Sequence, residues 1–180
     1  VVLSRGLGDV YKRQPYDQFL HWQIAGDVLA PKEKAEQGRI ATAFCLSGPD
    51  MPDINSQEER KHVLMNEVTS TVGAVFFSLQ VGCAQCHDHM YDTISQADFY
   101  RLRAFFDPAV ALKKNDSVTT LGSSGTRVES HLMIRGDWRR KGAKLTAAFP
   151  RIANRSESTV TSDDPSERRA ELAKWLTQPE

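Results

Sequence analysis

Residues 57–100 read QEERKHVLMNEVTSTVGAVFFSLQVGCAQCHDHMYDTISQADFY. Leu64, Val68, Val72, Val75 and Leu79 recur there at three- and four-residue intervals, the apolar stripe of an amphipathic helix, which predicts a helix over residues 57–81. Gly82 stands where such a helix should stop, because glycine accepts the left-handed conformation favoured just past a last turn. Ser95-Gln96-Ala97-Asp98 has capping-box spacing, with Asp in place of the usual Glu or Gln, and opens a further helix carrying Phe99, Leu102, Phe105 and Phe106. Between the two helices lies Cys83-Ala84-Gln85-Cys86-His87.

Working outward, Pro15 suits a first helical turn, and Phe19, Leu20, Trp22, Ile24 and Val28 follow at helical spacing. Residues 32–46 read as a short second helix closed by Ser47-Gly48-Pro49, and residues 47–56 as a loop. Beyond Asp107-Pro108 the character changes. Residues 113–126 are polar with Gly and Ser, Val128, Ser130, Leu132 and Ile134 alternate as in a strand, and residues 135–164 read as mainly irregular. Asp164 as N-cap, Pro165 in the first turn and Glu167 at the third position predict a closing helix with Leu172, Trp175 and Leu176.

The expected fold is therefore mainly α, a helical fragment with a small, irregular β-containing C-terminal part. The expected organisation is a non-native leader over residues 1–14, a helical domain over 15–112 and the start of a second, truncated domain over 127–180. The opening VVLSRGLGDVYKRQ has neither helical nor alternating periodicity and is set aside from the fold.

The 180 residues carry 23 basic and 23 acidic side chains, so the chain has no overall electrostatic footprint for nucleic acid. No stretch approaches the roughly 20 apolar residues of a membrane span. Three cysteines are too few for a disulfide scaffold, and two of them share one motif. Cysteine usage here points to chemistry.

Covalent haem attachment needs two thiols on a tight turn and an imidazole available to the iron from the same side. Cys83, Cys86 and His87 satisfy that linear requirement, with His87 as proximal iron ligand and haem c as the cofactor. His89 and Met90 follow His87 too closely to round a porphyrin, since the chain gains at most ~3.6 Å per residue. On a continuous helix His62 would stand roughly 30 Å from Cys83, out of reach together with Met65. His21, Met51, His131 and Met133 remain as distal candidates, beside a five-coordinate iron or a ligand from the rest of a larger parent chain.

Two alternatives stay open. Cys83, Cys86, His89 and Asp92, with His87 and Asp88 nearby, could supply a tetrahedral zinc site with a binding or hydrolytic role. The cysteines could also form a disulfide in an extracellular structural module. Arg135-Gly136-Asp137-Trp138-Arg139-Arg140-Lys141 reads as a solvated turn, with docking of an acidic partner or glycan as the sharper reading. Phe76, Phe77, Phe105 and Phe106 read as core packing.

Several blocks agree in order with a known family. Pro15-Tyr16-Asp17-Gln18-Phe19, Gln23 to Asp27, Arg39 to Phe44, Val72-Gly73 through Cys83-Ala84-Gln85-Cys86-His87-Asp88-His89, Asp92, Ile94 to Tyr100, Ile134-Arg135-Gly136-Asp137, Phe149-Pro150 and Leu172 to Leu176 are those blocks. The chain resembles the planctomycete-type secreted cytochrome c-like proteins, spanning the end of a first and the start of a second recurring region, each catalogued as a domain of unknown function. The resemblance implies an exported, periplasmic or extracellular location, a larger parent chain, an unknown redox partner protein and an electron-transfer or redox-associated role. It also implies haem attachment at Cys83, Cys86 and His87, with His89 a site residue. Met90 departs from the family's usual basic residue, and Thr93 from its usual proline.

Overall fold

The computed structural model describes residues 15–48, 53–112, 118–151, 160, 162, 164–165 and 167–178. The leader expected over residues 1–14 and the distal candidate Met51 lie outside the described residues. The helices are α1 (Tyr16–Leu29), α2 (Ala35–Ala41), α3 (Gln57–Phe76), α4 (Gln96–Arg103) and α5 (Arg168–Leu176). Two antiparallel pairs accompany them, β1 (Ala109–Leu112) with β2 (Thr120–Ser123) and β3 (Ser130–Met133) with β4 (Lys141–Leu145). The chain is thus mainly α with a small β part, as its patterning predicts.

Helix α3 begins where the Ser56 hydroxyl accepts the Glu59 backbone N–H at 3.3 Å, and it differs from expectation in face and in length. His62, Met65, Asn66, Val68, Thr69, Val72 and Gly73 are buried, whereas Val75 is 52% exposed. The inward stripe therefore includes polar residues that hydrophobic periodicity assigns to solvent. The helix stops at Phe76, five residues short of the expected end at Val81. Ser78, not Gly82, takes the left-handed conformation at φ 55°, and both Phe77 and Leu79 donate backbone N–H groups to the Gly73 carbonyl at 3.1 Å.

The chain then doubles back along α3. Gly73 makes the reversal sterically possible, since a Cβ there would sit 2.2 Å from Val81 Cγ2. Gln85 ends up beside Ser70 and Asn66, donating to Ser70 Oγ at 3.2 Å and accepting from Asn66 Nδ2 at 3.3 Å. The separation of His62 from the cysteine motif expected for a continuous helix is thereby overturned: His62 lies one turn of α3 from Asn66, level with the motif.

The remaining elements hold this hairpin in place. Backbones of α1 and α2 cross at Gly26 and Gly38, where a Cβ on Gly26 would lie 2.2 Å from the Gly38 carbonyl oxygen. Buried Arg169 of α5 grips Asp27 of α1 with Nη1–Oδ1 at 3.0 Å and Nη2–Oδ2 at 2.6 Å, and also donates to the Ile24 carbonyl. Helix α5 starts at Arg168, three residues later than a cap at Asp164 would start it. Asp164 N–H donates to Ser162 Oγ, and the Asp164 carbonyl accepts from Glu167 N–H, so these residues close a turn before the helix.

Strands β2 and β4 arise in stretches whose sequence reads as polar or irregular. Tertiary contacts select β2: the Thr42 hydroxyl donates to the Leu121 carbonyl at 3.1 Å and accepts the Leu121 N–H at 2.9 Å. In β3 the buried residues are Ser130 and Met133, not the alternate set predicted, because the register shifts between His131 and Met133. One hydrophobic cluster unites Leu20, Val68, Phe99, Phe106, Leu121, Met133, Leu172 and Trp175, drawing on both sides of the boundary expected near residues 113–126. Phe105 and Phe106 are buried in it, with Phe76 and Phe77 packed partly against it. Among the described residues, no helix is long and apolar enough to cross a membrane.

Candidate functional site

The cysteine motif lies on a 3₁₀ turn, Val81–Gln85, whose repeat of three places residues i and i+3 on the same edge. Val81 and Ala84 accordingly face the core, while Cys83 and Cys86 are exposed free thiols. Sequence position alone thus separates an anchoring edge from a reactive one.

His87 is also exposed, and its Nδ1 lies 2.7 Å from the Asp88 carbonyl oxygen. A carbonyl only accepts, so Nδ1 carries the hydrogen and Nε2 is left with its lone pair. This is the tautomer that a metal-binding imidazole takes when its other nitrogen is fixed by a backbone carbonyl.

His89 has the opposite arrangement. Its Nδ1 accepts two backbone N–H groups, from Tyr91 at 3.2 Å and Asp92 at 2.9 Å, so Nδ1 is unprotonated and Nε2 bears the hydrogen. The 3.4 Å approach of Asp92 Oδ2 to that same Nδ1 is therefore a close contact between acceptors and not an ion pair. The His89 N–H donates to the Ile94 carbonyl and the Gln96 N–H to Asp88 Oδ1, both at 2.8 Å. His89 consequently organises residues 88–95 from within, with its side chain only 7% exposed, while Met90 and Tyr91 stand out at 77% and 90% exposed.

Behind the turn lies a polar network that hydrophobic patterning does not reveal. The Gln85 carbonyl accepts from Tyr100 Oη at 3.1 Å and from Gln96 Nε2 at 2.8 Å, and that same amide nitrogen reaches the Met133 carbonyl at 3.0 Å. Buried Arg103 donates to Asn66 Oδ1 at 2.8 Å, to His62 Nδ1 at 2.9 Å and to Asp107 Oδ1 at 3.0 Å. Since a guanidinium only donates, His62 Nδ1 accepts from Arg103; the ring also hydrogen-bonds the Gly136 backbone, and its Nε2 lies 3.0 Å from Asn66 Nδ2. Burial, reinforced by the Arg103 charge, pushes the His62 pKa down to about 4. Burial likewise raises the Tyr100 phenol to about 12 and the Cys45 thiol, away from the motif on the Thr42–Leu46 segment, to about 12. The signal that could have revealed the network is the four-residue ladder His62, Asn66, Ser70, which lines up polar groups along the inward side of α3.

The turn Ile134–Gly136 covers one side of the motif. Arg135 and Gly136 are both left-handed, at φ 55° and 74°, and a Cβ on Gly136 would sit 2.7 Å from Cys86 Sγ. Gly136→Ala is expected to destabilise the fold by about 1–2 kcal/mol, combining the left-handed penalty with displacement of the thiol. A drop of several degrees in Tm is the corresponding readout, and an unchanged Tm would show that the turn does not press on Cys86.

The other candidates are dispersed. His21 Nε2 meets Thr177 Oγ1 at 2.8 Å, joining α1 to the end of α5. His131 is half-buried in β3 opposite Lys144, and the Met133 side chain packs in the core. Among the described residues, no three His, Cys, Asp or Glu side chains meet closely enough to cage a metal ion. A tetrahedral ion drawn from Cys83, Cys86, His89 and Asp92 would require them to rearrange, and His89 could offer only Nε2. Thioether attachment asks less, since the thiols meet the porphyrin periphery and only the imidazole meets iron; two exposed thiols and an exposed imidazole whose Nδ1 is held by a carbonyl suit those separate roles.

Residues 8–110, more than half of the chain, match the family described as PSCyt2, protein of unknown function (DUF1549). No curated protein and no solved structure matches the chain.

Proposed function

The chain belongs to this family of unknown function, DUF1549, and from its site we propose that it is a haem c-binding, electron-transfer or redox-associated part of an exported protein. The observation that carries this reading is the His87 tautomer: Nδ1 is committed to the Asp88 carbonyl, which leaves Nε2 as the metal-binding nitrogen of an exposed imidazole that directly follows the exposed Cys86 thiol in the chain. Cys83 and Cys86 tether the group as thioethers, and His87 Nε2 ligates its iron. The group itself, when bound, supplies one-electron exchange at iron. The chain contributes a fixed platform, with the Gln85 carbonyl pinned by Tyr100 and Gln96 and the turn backed by Asn66 and Ser70.

Production in a host that attaches c-type haem, followed by a denaturing gel stained for haem, tests the proposal. The chain is expected to stain, and the Cys83→Ser, Cys86→Ser double variant to lose all stain while keeping its far-UV circular dichroism. A colourless wild-type chain would sink the reading. Stoichiometric zinc by elemental analysis would then favour the Cys/His/Asp alternative, and loss of free thiols the disulfide one.

A further inference from the structure

Strand β1 has one strand partner among the described residues, β2, and β2 decides which β1 backbone groups face inward. The Thr42 hydroxyl takes both the N–H and the carbonyl of Leu121, so Leu121 turns these groups away from β1. Hydrogen-bonded and non-hydrogen-bonded positions alternate along an antiparallel pair. Ala111 stands opposite Leu121 and therefore also points its N–H and carbonyl outward. The Ser124 N–H donates to the Pro108 carbonyl at 3.0 Å, in the same phase. Ala109 shares the outward direction, and its N–H is taken by the Phe106 carbonyl at 2.7 Å. The Ala109 carbonyl and both Ala111 groups have no backbone partner among the described residues.

That edge opens onto a groove of about 500 Å³, the size of a site for a ligand and not for a water molecule. Ala109, Val110 and Ala111 all border it. Side chains of a strand alternate between faces, so three consecutive residues meet one groove along the edge of the strand. Helix α3 supplies the opposite wall with Leu64, and buried Met65 and Cys45 lie at the floor. Arg60 and Lys61 stand on the α3 side near the start of the helix, with Glu67 about two turns further on.

We propose that the groove between β1 and α3 binds an extended peptide of another protein, which adds to the sheet as a strand beside β1. An extended backbone supplies donors and acceptors at the two-residue spacing of the Ala109 and Ala111 groups. The apolar floor selects alternate apolar side chains, and the cations near the start of α3 select an acidic residue at one end. Neighbouring stretches of this chain, Pro49-Asp50-Met51-Pro52 and Lys113-Lys114-Asn115-Asp116-Ser117, lack that alternation. Register is specified too. Ala109 is 2% exposed, so its face of β1 is turned to the core, and the peptide side chains on that face belong to the residues whose amides meet Ala111.

A short fluorescein-labelled peptide of alternating valine and threonine, with an aspartate at one end and made in both orders, is titrated with the full chain. Saturable binding by anisotropy is expected for at least one order. N-methylation of the valine amides is expected to weaken it about tenfold, since these amides donate to the strand edge, whereas N-methylation of the threonine amides leaves it nearly unchanged. Ala111→Pro removes an outward N–H without breaking a β1–β2 bond and is expected to weaken binding similarly, with the circular dichroism unaltered. Lys61→Glu is expected to weaken the aspartate probe and to improve one with lysine in its place. The methylated pair is read on the wild-type chain, so a misfolded variant does not spoil the test. Equal affinities for the two methylated probes would overturn the assignment, as would no binding in either order. A chain that dimerises through β1, and that Ala111→Pro makes monomeric, would overturn it in favour of a second copy.

Discussion

Replacing Arg103 with methionine is expected to lower the unfolding free energy by about 3–5 kcal/mol, because it leaves a buried charge without its counter-charge. Asp107 is buried beside it, with Oδ1 accepting from Arg103 Nε at 3.0 Å and Oδ2 from the Ser130 hydroxyl at 2.5 Å. The same guanidinium satisfies Asn66 Oδ1 and His62 Nδ1, so the substitution also orphans two acceptors on α3. Equilibrium denaturation measures the loss, and Asp107→Asn added to Arg103→Met should restore part of it by removing the unmatched charge. A loss under about 1 kcal/mol would place this pair with exposed ion pairs, and burial of the Asp107 charge would then carry no penalty worth counting.

The second large effect is an acid instability centred on His62. Its pKa is about 4 in the folded chain and ordinarily 6.5, so the folded state resists a proton that the unfolded state accepts. The sign follows from linkage: stability is fully present above pH 6.5 and falls progressively as pH drops toward 4, by up to about 3 kcal/mol. Arg103 faces the ring and opposes protonation, while Asp107 and Asp137 act weakly the other way. His21 is also shifted down, mainly by burial, so the assignment needs a variant in which only His62 is silenced. His62→Gln is expected to be less stable than wild type at pH 7.5 but to lose less on going to pH 4.5. Asp98 does not confuse this window. Burial pushes its carboxyl up, but Arg151 and Ser95 outweigh that and hold it at about 2, so its contribution is lost only at lower pH. Parallel stability–pH curves for wild type and variant would refute the role of His62.

Local chemistry is legible in the sequence wherever a short stretch decides its own geometry. The capping box at Ser95 and Asp98 forms with both reciprocal bonds, and the thiol pair stands exposed on a turn between two helices. Illegible features depend on residues distant in the chain. Hydrophobic periodicity cannot announce that His62 and Asn66 face inward, because their burial is stabilised by Arg103, thirty-seven or more residues away. The end of α3 escapes the same reading for a related reason: Gly82 offers the familiar stop signal, but packing of Val81 on Gly73 makes the chain turn earlier, at Ser78. Strands β2 and β4 carry no alternation strong enough to read, and neighbouring elements impose their pairing.

The contact between Gly136 and Cys86 separates two kinds of boundary that are easily taken for one. The stretch recognisable by ancestry closes at residue 110, whereas the physical surroundings of the motif draw on Met133, Gly136 and Ser130 beyond it. A truncation at the ancestral edge would strip the Cys86 sulfur of its wall, one Gln96 amide hydrogen of its acceptor and Asp107 of a hydroxyl donor. The lineage is traced by the turn; cooperative melting would instead follow the larger piece that closes over it.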